Sequence, residues 1–201
     1  MCCRFALTVR PSVLQLEFDL GFVPPRLQPT DEYFPGKGIP AIVNALTRNV
    51  EILYWGLVPP WAKDLSIAKH TFNARCETLS VKPSFREAFI RRRCLIPATS
   101  YFEWKNVNGL NTPFRFSLRK ERAFMLAGIW EYWIDAMGNE LYSAAVITCP
   151  AGEGLGSYHD RMPVIFNKEN CWQWMEDRPL SEINDLMRPI PAHFFEIVET
   201  K

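Results

Sequence analysis

The sequence predicts an α+β fold, and three observations support this prediction. β-rich runs separated by turn residues fill the middle of the chain. Helical patterns do not alternate with these runs one for one, which argues against a doubly wound sheet. The 201 residues are 48% apolar and contain no repeat, low-complexity tract or linker. We therefore expect one domain over residues 1–201 with a sizeable core.

The first half of the chain alternates strands with turn and loop signals. The predicted elements are a strand at residues 4–8, a helix at 11–18, an ordered Pro- and Gly-rich loop at 23–37, and a hairpin of strands at 39–46 and 50–55 around residues 47–49. Pro11 suits the first turn of the helix, since its φ is already helical. Pro59 and Pro60 exclude residues 56–61 from a central strand, because proline removes ladder donors.

The second half carries the strongest strand signals. The predicted elements are a helix at residues 84–92, a strand at 93–104, a strand at 114–118 after the Asn108-Gly109 turn, a pair of strands at 123–133 and 141–149, and short helices at 168–175 and 181–187. The first of these helices places apolar residues on one face and basic residues on the other. Pro189 ends the last helix.

Charge and cysteine usage exclude several classes of protein. The net charge is only +1, so any site for a polyanion must be a local patch. The six cysteines form no C-x-x-C pair and no zinc-like spacing with histidine, which favours free thiols in a reducing cytoplasm. No apolar run approaches the roughly 20 residues that a membrane span needs. We expect no metal, no cofactor and no membrane partner.

The amino terminus could react with aldehydes. A small residue after Met1 normally allows an aminopeptidase to remove that methionine, which would make Cys2 the terminal residue. Its α-amine would have a pKa of about 7.7–8.0 and its thiol a pKa near 8.5. An aldehyde attacked by the amine gives a Schiff base, which the adjacent thiol can close to a thiazolidine. From these residues alone, however, a buried strand cysteine is the stronger interpretation.

Two internal segments place a polar residue among apolar neighbours. Asn73 offers two donors and an acceptor that could hold a reacting atom, although a turn cap is the more common role. Glu103 lies between Phe102 and Trp104, where desolvation would raise its pKa into the range useful for general acid–base catalysis. Strand alternation could equally turn Glu103 to solvent between two buried rings. The sequence pattern alone does not distinguish a desolvated Glu103 from an exposed one.

A histidine in a Gly-rich loop and an aromatic turn are the other candidates. His159 could transfer protons near pH 7, and Arg161 beside it could hold a phosphate. The segment from Trp55 to Trp61 is either a core corner or a stacking wedge. Arg4, Arg75 and Arg161 each neighbour a candidate reactive residue. The arginines at positions 86 and 91–93 more often indicate a solvated helix face.

Taken together, these segments resemble one family, the SOS-response-associated peptidase (SRAP) family. The resemblance runs from residue 1 to about residue 195, and seven motifs in order make it specific. The motifs are Met1-Cys2-x-Arg4, Trp55-Gly56-Leu57-x-Pro59, Asn73-Ala74-Arg75-x-Glu77-Thr78, Arg93-Cys94-Leu95-Ile96-Pro97, Phe102-Glu103-Trp104, Ala127-Gly128-Ile129-Trp130-Glu131 and His159-Asp160-Arg161-Met162-Pro163.

The resemblance implies a fold, an activity and a set of site residues. It implies a branched, barrel-containing, mostly antiparallel sheet flanked by short helices. It also implies a monomer that binds single-stranded DNA and crosslinks to abasic sites, in the cytoplasm and on the nucleoid if the source is bacterial. The implied roles are Cys2 as nucleophile, Asn73, Glu103 and His159 as polar catalytic residues, Arg4, Arg75 and Arg161 as DNA-backbone contacts, and Pro35 and Trp61 in shaping the DNA path.

One departure and two rival functions remain at this point. The family usually has Gly where this chain has Cys3, so a second thiol adjoins the nucleophile. A cysteine peptidase is the first rival, because Cys2 and His159 resemble a Cys–His pair and removal of Met1 would itself be proteolysis. A non-covalent DNA-binding module is the second, and it would not depend on Cys2.

Overall fold

Two β-sheets joined at one residue make up the fold of residues 2–200, which the computed structural model of the protein describes. The strands are β1 (Phe5–Leu7), β2 (Thr30–Tyr33), β3 (Gly38–Ile42), β4 (Val50–Trp55), β5 (Asn73–Arg75), β6 (Arg93–Ala98), β7 (Ser100–Val107), β8 (Leu110–Leu118), β9 (Phe124–Ile134), β10 (Glu140–Pro150), β11 (Arg161–Pro163), β12 (Ile165–Phe166) and β13 (Phe195–Glu199). The α-helices are α1 (Pro11–Glu17), α2 (Arg86–Arg91) and α3 (Leu180–Leu186), and short 3-10 helices span Leu65–His70, Cys76–Thr78, Cys171–Met175 and Ala192–Phe194.

The larger sheet closes into a five-stranded barrel with branches. β10 pairs in parallel with β4, and the antiparallel pairs β4–β3, β3–β6, β6–β9 and β9–β10 complete the ring. β5 and β11 branch from β10, and β12 branches from β9. The predicted α+β class and the branched, barrel-containing sheet are confirmed.

The smaller sheet is antiparallel throughout, in the order β13-β8-β7-β1-β2. It meets the barrel at Thr99, where β6 ends and β7 begins. The backbone N–H of Thr99 donates to Ala6 O at 2.7 Å, and its hydroxyl accepts from the backbone N–H of Thr8 at 3.1 Å. The prediction of one strand over residues 93–104 is therefore wrong, because these bonds to the β1 segment draw the chain from one sheet into the other.

Both sheets bury their apolar faces in one continuous core. Phe5 of the smaller sheet packs against Trp55 of the barrel, with ring centroids 5.2 Å apart. Trp55 and Trp174 are fully buried, and their indole N–H groups donate to Phe72 O at 2.8 Å and Cys94 O at 3.1 Å. The indole N–H groups of these two buried tryptophans thus both have hydrogen-bond acceptors inside the core.

Short polar segments account for most remaining differences from the predicted elements. β2 lies inside the predicted loop at residues 23–37, and only Tyr33 of its residues is buried. Such an edge strand shows no apolar alternation, so its sequence carries no strand signal. The predicted helix at residues 168–175 is a 3-10 helix at Cys171–Met175. Within residues 2–200, no helix combines the length and the apolar character required to span a membrane.

Candidate active site

The pairing of β1 with β7 brings the amino-terminal segment alongside Glu103. Phe5 is opposite Tyr101, and the N–H of Phe102 donates to Arg4 O at 3.0 Å. Continuing this register by two residues places Cys3 opposite Glu103. Met1 and its predicted removal lie outside the described residues.

Cys2 is buried and held by Asn73. Its side chain has no exposed surface, and Nδ2 of Asn73 donates to the Cys2 carbonyl oxygen at 2.7 Å. Burial raises the pKa of the Cys2 thiol well above its ordinary range, and the negative charges of Glu103 and Cys3 raise it further. The thiol is therefore protonated at neutral pH. Cys2 is buried, as the simpler interpretation holds, but it precedes β1 and adjoins polar groups.

Asn73 lies on a strand and not in a turn. β5 runs parallel to β10, with Asn73 beside Val146. This pairing fixes the backbone that presents the amide to Cys2. The Oδ1 atom of Asn73 is buried and accepts no hydrogen bond from any group in residues 2–200. One side of the amide thus holds the amino-terminal segment, while the other keeps an acceptor available.

Glu103 is buried, which favours the interpretation of a desolvated carboxyl over that of a solvent-exposed strand residue. The residue is 3% exposed, and both Tyr101 and Phe102 before it are buried as well. Desolvation raises the pKa of the Glu103 carboxyl from 4.5 to about 7. A carboxyl with that pKa is half protonated near neutral pH. It can both donate and accept a proton there.

His159 is oriented by its own loop. The backbone N–H of Arg161 donates to Nδ1 at 2.9 Å, so the neutral imidazole carries its proton on Nε2. Desolvation lowers the pKa of His159, which favours this neutral form at pH 7. Asp160 Oδ1 lies 2.8 Å from the same Nδ1 and can accept a hydrogen bond from it when the ring is charged. The geometry thus presents Nε2–H as the donor.

The segment around residue 190 supports the His159 loop. Ala192 N–H donates to Glu153 O at 2.8 Å. Gly152 packs so closely that a Cβ there would lie 2.0 Å from Ile190 O. At the other end of the loop, Ala151 N–H donates to Asp160 O at 2.9 Å. His159 therefore projects from a loop that is tied at both ends.

Arg161 is a largely internal cation. It is 9% exposed, and its guanidinium forms a bidentate pair with Glu77 and also donates to Thr148 O at 2.7 Å. The bonds from Arg161 lower the pKa of Glu77 to about 2. Glu77 could not be recognised as this partner from local sequence patterns, because the two residues lie 84 positions apart.

The other two predicted phosphate contacts differ in availability. Arg4 donates to Asp31 O at 3.0 Å and to Asp31 Oδ2 at 3.2 Å, and it lies over the Phe102 ring at 4.1 Å. Arg75 is exposed at the end of β5, and its side chain makes no ion pair within the described part of the chain. The structure thus offers Arg75 as the freest of the three cations.

The arginines around α2 have separate tasks. Arg86 and Arg91 are exposed, as expected for a solvated face. Arg92 pairs with the buried Glu131 at 2.6 Å. Arg93 donates to the carbonyl oxygens of Trp174 at 2.7 Å and Glu176 at 2.9 Å, so it has a structural role.

Pro35 and Trp61 lie on two different surface turns. Pro35 is half-buried and follows Phe34, whose ring lies 5.7 Å from the Arg4 guanidinium. Trp61 is 58% exposed, which fits a stacking wedge better than a core corner. The turn that carries it is anchored by the Trp133 indole, which donates to Ala62 O at 2.8 Å.

No predicted site residue lines the cavity of about 880 Å³ between the end of β8, β12 and the segment around residue 190. Its walls are mostly apolar. Within residues 2–200, no group of three or more His, Cys, Asp and Glu side chains is placed to hold a metal ion.

Comparisons with known proteins agree with the sequence motifs. The sequence profile of the family described as SOS response associated peptidase (SRAP) matches residues 1–201. The chain is 37% identical to the abasic site processing protein YoqW of Bacillus subtilis, over 98% of this chain and 90% of that protein. It is 30% identical to the abasic site processing protein HMCES of Rattus norvegicus, over 71% of this chain and 50% of that protein. A crystal structure of a protein from Bacteroides thetaiotaomicron superposes with a TM-score of 0.91 at 25% identity, covering 100% of this chain and 92% of the other.

Proposed function

Because the chain belongs to the SOS response associated peptidase family, we propose that it recognises abasic sites in single-stranded DNA and crosslinks to them through Cys2. The names of its relatives, which are abasic site processing proteins, support the substrate. The observation that carries the proposal is the placement of Cys2. Its carbonyl is held by Asn73, and its neighbour Cys3 lies opposite a buried carboxyl with a pKa of about 7.

The reaction begins at the amine and not at the thiol. After loss of Met1, the Cys2 amine attacks the aldehyde carbon of the ring-opened abasic sugar. Loss of water then gives an imine with a new C–N double bond. The Cys2 thiol adds to the imine carbon, and its proton moves to the nitrogen, which closes the thiazolidine. The raised pKa of the thiol supports this order, because a protonated thiol is a poor first nucleophile.

Glu103 and His159 supply the proton transfers. Glu103 accepts a proton from the attacking amine and returns it to the departing water, which suits a carboxyl with a pKa of about 7. As the sugar opens, the ring oxygen gains the proton that the anomeric hydroxyl loses, and the Nε2–H of His159 donates a hydrogen bond to that oxygen, in line with the bond that Arg161 N–H makes to Nδ1. Asn73 keeps the adduct in place and has a buried Oδ1 available as an acceptor.

The DNA contacts are proposed for three arginines and two surface turns. Arg75 is exposed and makes the first phosphate contact, while Arg4 and Arg161 contribute from positions already held by Asp31 and Glu77. Pro35 and Trp61 kink the path and exclude duplex DNA. The protein acts as a monomer on cytoplasmic or nucleoid DNA and needs no cofactor.

Proteolysis enters this proposal only at the amino terminus. The removal of Met1, by the protein itself or by an aminopeptidase, frees the amine. A peptidase acting on other proteins through a Cys2–His159 pair would need a reactive thiolate at neutral pH. The buried, protonated thiol of Cys2 does not favour that rival. The proposed lyase reaction starts from the same imine, as a later step.

A denaturing gel tests the proposal. Protein is mixed with a single-stranded oligonucleotide that contains one abasic site, and a shifted band is expected for wild type but not for Cys2→Ala. The intact mass of active protein should correspond to a chain that starts at Cys2. An uncleavable extension before Cys2 should prevent the stable adduct. Full crosslinking by protein that retains Met1 would overturn the thiazolidine mechanism.

A further inference from the structure

Lys105 is a cation beside the candidate site, and residues 2–200 provide it with no acidic partner. It lies on β7 two residues after Glu103, so the two side chains share one face of the strand. Its Nζ lies 4.8 Å from the centroid of the Tyr158 ring. Within residues 2–200, Lys105 makes no ion pair. The ring attracts the ammonium by a cation–π interaction. This interaction does not replace the hydrogen bonds that an anion would accept from the ammonium.

The ring below this lysine is itself fixed. Tyr158 forms T-shaped contacts with Phe114 and Phe116, with centroids 5.0 and 5.2 Å apart. It directly precedes His159 in the loop. The ammonium therefore has a defined position between the strand that carries Glu103 and the loop that carries His159. An ordered lysine loses less conformational freedom when a ligand arrives.

Two other cations of the site already have partners. Arg161 is already bound by Glu77 and Thr148, and Arg4 is bound by Asp31. Lys105 keeps its donors available. We propose that Lys105 binds the DNA phosphate next to the abasic sugar that Cys2 captures. This inference rests on the proposed function, and it adds a backbone contact to the arginines already considered.

The experiment measures binding without chemistry. The ligand is a single-stranded oligonucleotide carrying a tetrahydrofuran abasic analogue, which has no aldehyde. Its dissociation constant is measured against NaCl concentration for wild type, Lys105→Met, Lys105→Arg and the control Lys120→Met. Lys120 is exposed and lies beyond the far end of β8. Lys105→Met should lower the magnitude of the salt slope by about 0.7, the value for one phosphate on a single strand.

The conservative variant and a second oligonucleotide separate the outcomes. Lys105→Arg should retain the wild-type slope, and Lys120→Met should match wild type. With a reactive abasic oligonucleotide, Lys105→Met should raise the DNA concentration needed for half-maximal adduct rate several-fold. A wild-type salt slope in Lys105→Met would overturn the inference, as would a loss confined to the maximal rate. Absence of adduct in wild type would instead refute the proposed function and leave the binding result standing.

Discussion

Glu103 shows how burial can prepare a residue for proton transfer. Its pKa of about 7 arises first from desolvation, and the nearby charge of Asp160 raises it further. The sequence places aromatic residues on both sides of it but could not decide its exposure, because alternation assumes that one face of a strand meets solvent. At this point of β7 both faces are covered, so successive residues are all buried.

Replacing Glu103 by glutamine tests its chemical role. The change keeps the shape and removes the titratable proton, so adduct formation should slow by roughly 100- to 10,000-fold with little change in DNA affinity. Release of the adduct into excess abasic competitor should slow as well, since opening the thiazolidine also needs proton transfer. The measurement is a time course in both directions.

A second buried glutamate provides the control for that test. Glu131 is also 3% exposed but pairs with Arg92 away from Cys2. Glu131→Gln should therefore affect stability and leave the adduct rate intact. Wild-type rates in Glu103→Gln would leave His159 as the sole proton carrier.

Other site residues were predicted from motifs, but some of their contacts could not be. The motifs name Cys2 and Asn73 as site residues, and the structure joins these segments, 71 residues apart, by the hydrogen bond from Asn73 to the Cys2 carbonyl. The phosphate contact of Arg161 stays a prediction. Its pairing with Glu77 depends on β11 and the segment after β5 meeting through β10, and no local pattern encodes that meeting.

At the scale of elements, the strongest strand pair was predictable, and of the strands with two or three residues only β1 was predicted. The predicted strands at residues 123–133 and 141–149 correspond closely to β9 and β10, which pair along their length. β5, β11 and β12 have two or three residues each and depend on the longer strands for their existence. The His159 loop similarly depends on a distant segment, the residues around position 190.

Gly152 and Gly156 offer a matched test of that dependence. A Cβ on Gly152 would collide with Ile190 O, whereas one on Gly156 would meet no atom within 4 Å. Gly152→Ala should therefore displace the loop and lower the adduct rate, by up to about 100-fold if His159 moves by roughly 1 Å. Overpacking should also destabilise the protein by about 1–3 kcal/mol.

The comparison of the two variants decides the outcome. Gly156→Ala should match wild type in adduct rate and in thermal unfolding. Equal behaviour of both variants in the rate assay would mean that the segment around residue 190 does not position His159.

At the scale of the whole molecule, two carboxyls should shape stability against pH. The pKa of Glu103 is raised from 4.5 to about 7, so the folded state binds the extra proton and stability falls as pH rises through this interval. At about 1.4 kcal/mol per unit, the loss is about 3 kcal/mol. The pKa of Glu77 is lowered to about 2, so its contribution is present above 4.5 and is lost as pH falls toward 2.

Denaturant unfolding across pH 2–8 checks both contributions. Wild type should be most stable near pH 4.5–5, as far as these two groups decide it. Glu103→Gln should lose the decline between pH 4.5 and 7, and Glu77→Gln should lose part of the decline in acid. A Glu103→Gln variant with the wild-type decline would show that another group titrates there.

The burial of Cys2 limits the time in which an aminopeptidase can remove Met1 during synthesis. Phe5 pairs with Tyr101, so β1 has no β7 partner until the ribosome has added the residues between them. At roughly 5–20 residues per second, that interval lasts on the order of 5 to 20 seconds. An aminopeptidase must reach the Cys2 nitrogen within this period, before the sheet closes over it, whereas self-cleavage can begin only afterwards.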